Sequence, residues 1–188
     1  MLRAKFKTEK LMRKQIVFLT SLFLTFTLLA ACQDKSKKPS PPAQAQCKLS
    51  DGKTITVNYS SPRAKGRKIF GDLVPYGQVW RTGANEATTF VTDANLSVGG
   101  KDVSAGSYTI FTVPNPDNWT LIINKKNGEW GIPYKYEADE LARVDMKVSK
   151  TPSPVENFTI SLDQKGNSCT LNISWENTQA SVDISEKK

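Results

Sequence analysis

From about residue 47 onward, apolar and polar residues alternate with a period of two. Ile55, Val57 and Tyr59 alternate with Thr54, Thr56 and Asn58. Ala142, Val144, Met146 and Val148 alternate with Arg143, Asp145 and Lys147. The same rhythm returns at Phe158, Ile160 and Leu162, and again at Leu171, Ile173 and Trp175. Such spacing puts every second side chain on one face, so each run predicts a strand with one face on a core. Residues 108–113 and 119–123 are more continuously apolar, which predicts central strands. Asp51-Gly52 and Gly99-Gly100 suit tight hairpin turns. No stretch carries a convincing helical period, although residues 136–140 suit one helical turn. Roughly nine short strands at regular spacing predict an all-β chain, a single antiparallel β-sandwich of jelly-roll type over residues 47–188. Trp80, Trp119, Trp130 and Trp175 are expected to pack in its core or rim.

The chain upstream follows different rules. Residues 16–31 carry no charge and follow Arg13 and Lys14. The stretch is short for a membrane-spanning helix, for which about twenty apolar residues are needed. A positive start, an apolar run and a small-residue ending describe a secretory signal peptide, here residues 1–31. Met12 offers an alternative start to Met1. The run closes on Leu29-Ala30-Ala31-Cys32, which resembles the bacterial lipobox. Acylation of Cys32 would make a membrane anchor, since two acyl chains already hold a protein stably. Gln33 in place of Asp after that cysteine favours the outer membrane, with the periplasmic or surface face left open. Residues 32–46 are Pro-, Lys- and Gln-rich without one large apolar side chain. They are expected to form a disordered tether.

Charge and cysteine content narrow the chemistry. The chain of 188 residues has a formal charge of +8. Six basic residues against one acid lie in 1–31, whereas 47–188 holds 17 basic and 16 acidic residues. The folded part is therefore nearly neutral and lacks the basic footprint of a nucleic-acid protein. The chain has no histidine, which removes Ser-His-Asp and Cys-His catalysis and imidazole metal sites. No clustered Asp/Asn loop suggests calcium, so no metal or cofactor is expected. With Cys32 acylated, Cys47 and Cys169 remain as an even pair. An oxidising compartment favours their disulfide over two free thiols.

Residues 60–90 break the alternation. Arg63, Lys65, Arg67 and Lys68 bring four cations together, suited to a carboxylate, sulfate or phosphate or else to a solvated loop. Trp80-Arg81-Thr82-Gly83-Ala84-Asn85-Glu86 follows. An Arg81–Glu86 pair bridged by Asn85 would form a buried structural network. Alternatively it would line a pocket in which Trp80 or Tyr76 stacks a sugar or planar ligand. Arg63, Arg67, Tyr76, Trp80, Arg81, Asn85 and Glu86 are thus the candidate ligand-binding residues.

That run carries a resemblance, together with Gly66-Arg67-Lys68-Ile69-Phe70-Gly71, residues 73–79 and 105–114, and Trp130-Gly131. The chain resembles the bacterial family called domain of unknown function 2911 over roughly residues 50–175. The resemblance implies an exported, often lipid-anchored protein without an established activity, and it supplies no catalytic residues. Three functions remain open: a binding module for a glycan or small anion, which is favoured; a scaffold partner of an envelope complex; and a glycoside hydrolase pairing Glu86 with Asp72 or Glu129. No paired catalytic motif is present, so the reading leans away from an enzyme.

Overall fold

The computed structural model describes residues 40–187. The expected signal peptide, the acylated Cys32 and the first part of the tether lie outside the described residues. Nine strands follow in chain order: β1 (Pro42–Lys48), β2 (Thr54–Ser60), β3 (Thr88–Thr92), β4 (Leu96–Val98), β5 (Lys101–Val103), β6 (Gly106–Val113), β7 (Asn118–Asn124), β8 (Glu140–Lys165) and β9 (Ser168–Glu186). They form one antiparallel sheet in the order β1-β2-β3-β6-β7-β8-β9-β4-β5. The all-β reading holds, with one continuous sheet as its basis. A 3-10 turn at Glu137–Asp139 occupies the position of the expected helical turn.

The alternation in sequence becomes a division between core and solvent. Ile55 and Val57 of β2, Val144 and Met146 of β8, and Leu171, Ile173 and Trp175 of β9 are buried in one main core. The central strands β6 and β7 are covered on both sides, as their unbroken apolar runs require. Ile110, Leu121 and Ile123 enter the main core, while Phe111 and Ile122 join Ala87 in a smaller cluster. Tyr134 and Tyr136 pack against that cluster from the segment between β7 and β8.

Two expectations change. The tether was expected to run to Gln46, but β1 begins at Pro42 and pairs with β2 through all seven of its residues. Ala45 and Cys47 are buried between exposed Gln44, Gln46 and Lys48. The period of two is present there, carried by residues too small to register as hydrophobic. Pro42, at the first position of a terminal strand, leaves the ladder intact because no interior hydrogen bond needs its missing N–H. The runs at 142–148 and 158–162 are also two arms of one bent strand. The β8–β9 register breaks between Lys150 and Val155 and again between Val155 and Thr159. Pro152 and Pro154 occupy the first break, where they cannot donate to the ladder.

The bend folds the outer part of the β8–β9 hairpin towards the first strands. Phe158 meets Tyr59 of β2 edge-on at 5.6 Å, and Cys47 of β1 is bonded to Cys169 of β9. The main core lies inside this fold. Segment 61–87 leaves β2 and returns to β3 across it, inserting Ile69, Phe70, Val74 and Trp80 into the core.

Candidate functional site

The crossing segment is held at several backbone points. The Ala64 N–H donates to the Glu156 carbonyl, and the Phe158 N–H donates to that of Pro62. Two carboxylates hold it from behind: Glu156 Oε1 accepts from the Lys65 N–H at 2.9 Å, and Glu176 Oε2 from the Ile69 N–H at 3.1 Å. Trp80 and Thr112 exchange backbone hydrogen bonds of 2.8 and 2.9 Å, tying the segment to β6. Its aromatic plugs complete a cluster. Phe70 lies 4.8 Å from Trp119, and Trp80 lies 5.1 Å from Phe158 and stacks on Trp175 at 6.0 Å.

The Trp-Arg-Thr-Gly-Ala-Asn-Glu run makes a strained turn. Thr82 and Asn85 have φ values of 56° and 57°. A β-branched residue is a rare occupant of that left-handed region, where the strain costs about 1–3 kcal/mol. Thr82 is held there by burial and by hydrogen bonds. Its Oγ1 lies 3.3 Å from the Trp80 carbonyl and 3.1 Å from Thr112 Oγ1. Its carbonyl accepts from Thr88 Oγ1 at 2.7 Å. The Asn85 amide donates to the Ser40 carbonyl and to Ser60 Oγ, both at 3.0 Å.

Between this turn and the basic run lies an open cavity of about 620 Å³. That volume is in the range of small-molecule sites, roughly 300–1,000 Å³. Arg63, Lys65, Arg67 and Arg81 line it, and among the described residues no Asp or Glu does. Val74, Val79, Trp80 and Trp175 contribute apolar surface, with Leu73 and Ile132 exposed to solvent. Ser40 also belongs to the lining, so the chain enters the described fold at the cavity.

The two guanidinium groups of the basic run are oriented by neutral acceptors. Arg63 Nη1 donates to the carbonyl and hydroxyl of Ser61 at 3.0 and 2.9 Å. Arg67 donates through Nε to the Ala64 carbonyl at 2.9 Å and through Nη2 to the Arg63 carbonyl at 2.6 Å. These contacts fix position without neutralising charge. Among the described residues, the ion pairs join Lys53 to Asp51 and Glu186, Arg143 to Glu140, and Lys187 to Asp102. None of them includes a cavity cation.

Arg81 has a different setting. Its guanidinium carbon lies 5.0 Å from the Trp130 ring centre, and Nη1 makes a long, 3.5 Å contact with the Trp130 carbonyl. Burial pushes its pKa down, while the charge of Glu86 opposes that shift. Arginine remains protonated under either influence. The segment carrying Trp130 approaches closely through Gly131, whose φ is 87°. A Cβ there would lie 3.0 Å from Phe111 and Ala87 and 3.1 Å from Arg81 Cβ.

A sequence profile matches residues 40–184, in a family described as a protein of unknown function, DUF2911. The chain belongs to the DUF2911 family. No curated protein and no solved structure matched it. The DUF2911 match takes in β1 and both walls of the cavity. It includes the strained turn, where the hydrogen bonds of Thr82 and Asn85 show structural duties within the signature.

Of the seven candidate residues, Arg63, Arg67, Trp80 and Arg81 meet at the cavity. Trp80 is a buried wall component engaged by Trp175 and Phe158, so it offers no free face for stacking a sugar. Tyr76 lies outside the lining, with its ring over Gly71. Asn85 holds Ser40 and Ser60 instead of bridging Arg81 and Glu86. Glu86 is exposed and outside the lining. Lys68 also stays outside it. Ser40, Leu73, Ile132 and Trp175 complete the cavity without having stood out as binding residues. Among the described residues, no group of three or more Cys, Asp or Glu side chains gathers to hold a metal ion.

Proposed function

We propose that this DUF2911 protein is a lipid-anchored cell-envelope module that binds a small anionic ligand in the cavity of Arg63, Lys65, Arg67 and Arg81. The supporting observation is four cationic side chains lining one cavity, with no acid in its lining among the described residues. Like charges gathered at one site repel each other, and an anion placed among them converts that cost into charge-assisted hydrogen bonds. The planar donor forks of arginine suit a carboxylate, sulfate or phosphate. An anion is better supported than a neutral glycan because Trp80 is buried and Tyr76 lies outside the cavity. Hydrolysis by Glu86 with Asp72 or Glu129 gains no support, because none of the three lines the cavity. The anchor reading rests on the Leu-Ala-Ala-Cys run, with export favoured by a disulfide between the two remaining cysteines.

The test is thermal unfolding of the full chain with phosphate, sulfate and sugar acids. A ligand at 100 times its Kd should add about 2.7 kcal/mol, visible as a rise in Tm. Arg63→Gln with Arg67→Gln should remove that rise while the ligand-free Tm stays within a few degrees. A panel that raises no Tm would reject the anion site.

A further inference from the structure

The cavity contains more than an anion site needs. Three large apolar side chains beside its cations face solvent: Leu73 at 45%, Ile132 at 49% and Trp130 at 55% exposure. Leu73 and Ile132 belong to the lining, and Trp130 lies against Arg81. An inorganic anion makes no use of them. Cations beside exposed aliphatic and aromatic side chains are the composition of a surface that meets a bilayer at its headgroups.

The course of the chain favours the same occupant. Ser40 lines the cavity, and its carbonyl is held by Asn85. Cys32 lies eight positions upstream, with Lys35, Lys37 and Lys38 between. Eight residues reach at most about 28 Å when fully extended. A lipid on Cys32 would therefore keep the cavity close to the membrane surface. Each Lys or Arg near an anionic surface adds about 1 kcal/mol of attraction.

The geometry points to the phosphate headgroup of an anionic membrane phospholipid as the ligand of this cavity, with Leu73, Trp130 and Ile132 entering the interfacial layer. The inference rests on the anion site and anchor proposed above, and it specifies the ligand as part of a bilayer.

Tryptophan fluorescence tests it with the full chain in vesicles. Residues 1–39 contain no tryptophan, and Trp80, Trp119 and Trp175 are buried. Quenching by brominated acyl chains therefore reports on Trp130. Phosphatidylcholine vesicles are compared with vesicles also containing phosphatidylglycerol. Quenching should appear with phosphatidylglycerol and disappear in Trp130→Phe. The Arg63→Gln, Arg67→Gln variant should need about thirtyfold more phosphatidylglycerol for the same quenching. Arg63→Lys with Arg67→Lys should recover most of it, which separates lost charge from lost fold.

Equal quenching in both vesicle types would overturn the inference, because the apolar rim would then insert without a headgroup. An unquenched Trp130 together with a Tm raised by phosphate would also overturn it, leaving a site for free anions. An unquenched Trp130 with no anion response would remove both readings and assign the rim to a protein contact.

Discussion

Asn85 has a φ of 57°, and its amide holds both Ser40 and Ser60. These two duties can be separated. Asn85→Ala should lose both hydrogen bonds and also meet the left-handed penalty, a total of about 2–3 kcal/mol. Asn85→Gly removes the same bonds but accepts the backbone, so about 1 kcal/mol should return. Urea unfolding midpoints of the two variants check the order, and equal midpoints would refute it. This residue also shows why the site was only partly legible. Arg63, Lys65 and Arg67 lie within five positions, and their clustering marked them as candidates before any fold was known; the structure places all three, with Arg81, at the cavity. Asn85 and Glu86 adjoin Arg81 in sequence, yet a turn with positive φ at Thr82, Gly83 and Asn85 directs them elsewhere. Ile132 and Trp175 arrive from distant parts of the chain, so nothing local marked them as walls.

Period-two patterning made most strands legible because it reports directly which face is covered. It failed where the covered residues were small, as at Ala45 in β1, and where prolines resembled an end, as at Pro152 and Pro154 within β8. The β4–β5 hairpin shows a turn whose chemistry and packing agree. Gly99 and Gly100 connect Val98 to Lys101 with φ values of 50° and 84°, as a two-residue turn of the mirror-image type requires. The two glycines differ in what surrounds them. A Cβ on Gly99 would collide with Val144 Cγ1, whereas one on Gly100 meets nothing within 4 Å. Gly100→Ala should cost about 1–2 kcal/mol from backbone strain alone. Gly99→Ala adds overpacking against β8, for about 3 kcal/mol or more in total. Thermal unfolding of both variants would show this difference, and equal losses would refute the close approach.

Across the whole molecule, the disulfide joins strands 122 positions apart, with Cα atoms 6.6 Å from each other. Closing so long a loop restricts the unfolded chain and is worth about 5 kcal/mol in the chain-entropy model. Cys47→Ser with Cys169→Ser should lower the unfolding free energy by about that amount in urea. A loss under about 1 kcal/mol would mean that the reduced, unfolded chain stays compact.

The same bond governs how the molecule would respond to tension. A pull on the chain upstream of Ser40 first loads the Asn85 clasp and the hydrogen bond from the Ser61 N–H to the Pro41 carbonyl. The rungs of β1 follow, from Pro42 towards Gln46. Peeling must stop at Cys47, because the next link is covalent and leads into β9. Residues 40–46 can release at most about 24 Å of slack. Force would thus open the rim of the cavity before it reached the main core, and in the oxidised protein the rest of the sheet would not unravel from that end.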